Sequence, residues 1–82
     1  MRVEAIAMIG LKVFWMELTG YSKKWRRNIV VGDRCCYPNL SGGWAIATVL
    51  RVRDGLASVE SKSYAATVTQ WIEVSRLFPL PD

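Results

Sequence analysis

Lys23-Lys24-Trp25-Arg26-Arg27 is the densest gathering of chemistry-bearing side chains in the chain, with Tyr21 just ahead of it. Cations neutralise phosphates and a flat ring stacks on an unpaired base, so the combination suits single-stranded nucleic acid. Arg51 and Arg53 extend the positive charge, while Tyr37, Trp44 and Trp71 add flat contact area. The blander reading is a solvated linker with Trp25 folded onto it. The net charge of +4, from 11 Lys and Arg against 7 Asp and Glu, is compatible with nucleic acid or an acidic protein surface without demanding either.

Catalytic chemistry has little to work with. There is no His, which removes triads and most proton shuttles. The acidic residues are scattered without pairing. The two thiols, Cys35 and Cys36, adjoin Arg34 and no general base. Adjacent cysteines on a strand point to opposite faces, so they are poorly placed to bridge each other. They read as small buried thiols, with a reducing cytoplasm the expected compartment. No catalytic residue, metal or cofactor is expected, and an enzyme is the minority reading.

These side chains must be carried by a single domain, since 82 residues leave room for little else. A 51% apolar composition with four Trp argues against disorder. A core this small is marginal, which makes self-association the expected further source of stability. The division expected is 1–28, an apolar segment and basic linker, followed by 29–82, a small β-barrel.

In the stretch 3–18, Val3, Ile6, Ala7, Gly10, Leu11, Phe14, Trp15 and Leu18 share one stripe on a helical template. The odd-numbered positions align almost as well on a strand template, with Gly10 as a turn. Ala, Met, Leu and Glu favour the helix, and a hairpin is the alternative. Arg2, Glu4, Lys12 and Glu17 interrupt a run already short for a membrane span, and acidic residues also count against a signal peptide. No membrane partner is expected. The segment is expected to dock onto a partner or second copy, or to pack across an open end of the barrel.

From 29 onward the chain reads as short alternating strands punctuated by turns. Gly32-Asp33 turns into a strand over 34–37 that Pro38 ends, and 39–43 is a mobile loop. The strand 44–52 places Ala45, Ala47 and Val49 inward, where a tightly curved interior accepts small residues. Asp54-Gly55 is the strongest hairpin signal. The return over 56–61 points Ala57 and Val59 inward, 66–73 adds a strand, Val74-Ser75-Arg76-Leu77 fits one helical turn, and 78–80 closes. The fold expected is mainly β, a five-stranded barrel with an apolar amino-terminal extension.

Val31-Gly32-Asp33-Arg34-Cys35, Ala47-Thr48-Val49, Asp54-Gly55 and Val74-Ser75-Arg76-Leu77 together resemble SH3-like barrels of the Tudor, Agenet and KOW kind. The resemblance covers residues 29–81 and implies fold more than function. Tudor domains hold methylated Lys or Arg in an aromatic cage through cation–π attraction. Tyr37 and Tyr64 lie near two cage positions, and Ala45 stands where those domains carry an aromatic residue. A second stretch, Ala57-Ser58-Val59-Glu60-Ser61-Lys62 with Thr69-Gln70-Trp71-Ile72-Glu73-Val74, is similar to the plasmid-type (type II) dihydrofolate reductases. That resemblance implies a tetramer around one pore that holds folate and NADPH. Gln70 matches the pore floor, whereas Ile72 replaces its Tyr, Trp71 replaces its small Ile, and Tyr37-Pro38-Asn39-Leu40 has no counterpart to its Lys. The leading expectation is therefore a non-catalytic interaction module, binding nucleic acid or an acidic protein surface as a homo-oligomer. A pore enzyme of the reductase kind and a purely structural subunit are the alternatives.

Overall fold

A computed structural model describes residues 3–39, 41–62 and 65–80, with the side chains of the first helix described from Ile9 onward. Two helices come first, α1 (Val3–Thr19) and α2 (Tyr21–Arg27). Five strands follow: β1 (Arg34–Pro38), β2 (Trp44–Arg53), β3 (Leu56–Lys62), β4 (Thr67–Glu73) and β5 (Phe78–Pro79), with one 3₁₀ turn, Val74–Arg76, before the last.

The choice between helix and hairpin for the apolar segment resolves to one uninterrupted helix. Gly10 makes no turn there. A Cβ at that position would lie 3.5 Å from the indole nitrogen of Trp44, an ordinary van der Waals contact, so the helix passes against Trp44 there without requiring a glycine. Gly20, at φ 78°, ends α1 in the left-handed region, and its N–H donates to the Glu17 carbonyl. The basic stretch read as a linker is itself helical. Seven residues are too few to hold a helix alone, so α2 owes its existence to what it packs against. The Asn28 side chain closes it by donating from Nδ2 to the Lys24 carbonyl at 2.9 Å.

The strands form one antiparallel sheet in the order β4-β3-β2-β1-β5. The β2–β3 hairpin turns at Asp54 (φ 49°) and Gly55 (φ 78°), two successive positive angles as a type I′ turn requires. The loop after Pro38 is built around the Asn39 carboxamide oxygen, which accepts from the Ser41 N–H, the Ser41 hydroxyl and the Gly43 N–H. These bonds tie a turn that the sequence suggests is a mobile loop. Among the described residues no ladder joins β4 to β5, so the observed architecture is a five-stranded antiparallel sheet with two helices.

Cys35, Tyr37, Ala47, Val49, Ala57, Val59, Ile72 and Leu77 make the core, with Trp25, Ile29, Ala45 and Val74 packed against them. Strict alternation along β2 would carry Arg51 and Arg53 onto this same face, after Ala45, Ala47 and Val49. A β-bulge between Val49 and Arg51 prevents it. Val49 pairs with Val59, but the next pair is Arg51 with Ser58, followed by Val52 with Ala57 and Arg53 with Leu56. The slip corrects the alternation expected for Val52, which now shares a face with buried Ala57, and turns both arginines outward.

Candidate nucleic-acid interface

The bulge decides which side chains meet on the outer face of β2, β3 and β4. Cross-strand partners share a face, so Arg51, Ser58 and Trp71 form one row and Arg53, Leu56 and Glu73 the next. Ser58, between Arg51 and Trp71 in that row, is small and buried. Trp71 stays 49% exposed. The Arg53 guanidinium makes only a long contact to Asp54, 3.7 Å with both side chains largely solvated, so its charge remains available. Arg53, Asp54, Leu56 and Trp71 line a shallow depression of about 480 Å³.

Trp71 also borders a second, larger recess of about 670 Å³, where its companions include Tyr37, Asn39, Gln70 and Arg76. Gln70 donates from Nε2 to the Tyr37 hydroxyl oxygen at 3.1 Å. That bond holds the carboxamide in place and occupies the tyrosine oxygen. Tyr37 itself is buried, so it serves as a wall of the recess and not as a free stacking surface. Arg76 is exposed at the rim, brought beside Trp71 by the 3₁₀ turn that follows β4. The sequence reading did not single out Arg76. Its signal was the one-turn helix at 74–76, which folds the chain back within five residues of Trp71.

The basic cluster on α2 divides into two kinds of residue. Arg26 is a fastener: Nε donates to the Leu77 carbonyl at 2.9 Å, an Nη contacts the Glu17 carboxylate at 2.6 Å, and the guanidinium lies 4.8 Å from the Phe78 ring centroid. Trp25 packs half-buried against the core. Lys23, Lys24 and Arg27 remain exposed. Trp44 is half-buried between Gly10 and Phe78, its ring edge-on to the latter at 5.8 Å. Tyr64 lies outside the described residues. α2 packs on β5, whereas Trp71 is on β4, at the other end of the strand order.

Set against protein-family models, curated proteins and solved structures, the chain matches none. Its function has to be argued from its own surface.

The two thiols are not set up for nucleophilic attack. Burial pushes the Cys35 thiol up to about 11, with the Asp33 carboxylate adding to the effect. The Cys36 thiol is pushed up to about 12, by burial first and by Cys35 second. Its Sγ faces the Pro79 carbonyl at 3.9 Å. Both thiols are thus held neutral and out of reach, the reverse of an activated cysteine. Among the described residues no three His, Cys, Asp or Glu side chains gather to hold a metal. No helix there is long and apolar enough to cross a membrane.

Proposed function

We propose that the protein is a non-catalytic binding module for single-stranded nucleic acid, built on a small SH3-like barrel and reading its ligand with Trp71. The observation that carries this is the position of Trp71, half exposed, with Arg51 and Arg53 on one side and Arg76 on the other. A ring in that setting stacks on a base of any identity, and the flanking guanidiniums take the phosphates before and after it. Gln70, tied to Tyr37 through Nε2, lines the same recess, where its amide can meet a base edge. Lys23, Lys24 and Arg27 add to the positive field that draws a polyanion in.

An acidic protein surface is the competing partner, because it would use the same charges. The ring separates the two. Fluorescence anisotropy with a labelled oligothymidylate should show binding that weakens about tenfold in Trp71→Ala, the cost of one lost base stack. Binding of a labelled poly-glutamate under the same conditions should be weaker and indifferent to that substitution. If Trp71→Ala binds the oligonucleotide as tightly as the parent, the stacking reading fails. If poly-glutamate binds better than the oligonucleotide, the partner is protein.

A further inference from the structure

The largest unpartnered feature lies away from this site, on α1. Val13 is buried and Gly10 meets Trp44, so that side of the helix packs inward. The side next to it presents Leu11, Phe14, Trp15 and Leu18, at positions i, i+3, i+4 and i+7, each between 60% and 64% exposed. These four side chains leave on the order of 500 Å² of apolar surface in water. A contiguous apolar patch of that size is at the upper end of what a monomer exposes and is often functional.

We infer that this stripe is a dimer interface, and that its occupant is the same stripe of a second copy lying antiparallel. Two observations choose that partner. The stripe is nearly symmetric about its midpoint between Phe14 and Trp15. Reversed, it presents Leu18 where Leu11 stood and the Trp15 ring where the Phe14 ring stood, the self-complementarity that a two-fold axis demands. Two such stripes, fully covered, together bury on the order of 1,000 Å², the lower bound for a specific interface. Among the described side chains, the charge beside the stripe is Lys12 on one flank and Glu17, paired with Arg26, on the other. That is a poor match for an anionic lipid surface, which asks for a cationic border.

The proposal is independent of Trp71, and its test uses the full chain. Sedimentation equilibrium at tens of micromolar should give twice the chain mass. Trp15→Glu and Leu18→Lys should each give a monomer with an unchanged circular dichroism spectrum, since neither side chain is buried. In the antiparallel arrangement the two copies of Leu11 sit about 10 Å apart along the helix axis, whereas each faces Leu18 of the other copy. Leu11→Cys/Leu18→Cys should therefore oxidise to a covalent dimer, and Leu11→Cys alone should not. A parent protein that is monomeric at 100 µM overturns the proposal, as does a dimer that survives Trp15→Glu. Capture of a monomer by phosphatidylglycerol vesicles would assign the stripe to a membrane surface instead.

Discussion

Arg26 shows how a residue type can mislead about role. In the sequence it is one of four adjacent or near-adjacent cations, indistinguishable from Lys23, Lys24 and Arg27. In the fold its side chain is only 19% exposed and is shared among a carbonyl on the chain leaving the 3₁₀ turn, a carboxylate on α1 and the Phe78 ring. A charged hydrogen bond that is part-buried contributes more than a solvated one, and the ring contact adds to it. Arg26→Ala should destabilise the protein by about 2 kcal/mol in urea unfolding, whereas Lys23→Ala and Lys24→Ala should stay within about 0.5 kcal/mol. Equal effects at the three positions would remove Arg26 from its structural role. The expectation bears on experimental design, because removing the whole basic cluster would confound loss of binding with loss of fold. Lys23, Lys24 and Arg27 are the members that report on charge alone.

At the scale of elements, α1 depends on the close approach of Trp44 to Gly10. A Cβ there would meet the indole at 3.5 Å, an ordinary van der Waals distance. Gly10→Ala should therefore stabilise the protein by about 0.5–1 kcal/mol through helix propensity, while Gly10→Leu should push Trp44 away from Phe78 and lower the melting temperature. Destabilisation by Ala as well as Leu would mean that the helix lies closer to the sheet than described. The strands were readable because each is bounded by a residue with a local physical effect, such as Pro38, which cannot donate, or Asp54-Gly55, which takes positive φ. Ala57 and Val59 followed from simple alternation. The β2 bulge was not readable, because 49–52 carries no residue that forces a slip. It arises from the register of pairing with β3, which no single residue of β2 announces, and from the cost of turning two arginines into a core. The helicity of α2 was hidden for a related reason: its stability comes from Leu77, Phe78 and Glu17, none of which adjoins it in the chain.

At the scale of the whole molecule, two gatherings of positive charge could meet a ligand, α2 beside β5 and the outward face around Trp71 on β4. Salt dependence can tell which of them touches a bound strand. Each phosphate neutralised on a single strand steepens the fall of log K with log salt by about 0.7. If Arg51, Arg53 and Arg76 make the contacts, the slope for oligothymidylate should be about −2, and Arg51→Ala/Arg53→Ala should bring it to about −0.7. Lys23→Ala/Lys24→Ala, by contrast, should lower affinity modestly through the general field and leave the slope nearly unchanged. A parent slope near −4 that falls to about −2.8 with the lysine pair would mean that both regions lie along one ligand path. A slope that ignores the arginine pair while losing most of its steepness with the lysines would move the phosphate contacts to α2 and leave Trp71 without them. Titrations at three salt concentrations on the parent and the two double variants are enough to separate these cases, because the slope counts contacts whereas affinity at one salt does not.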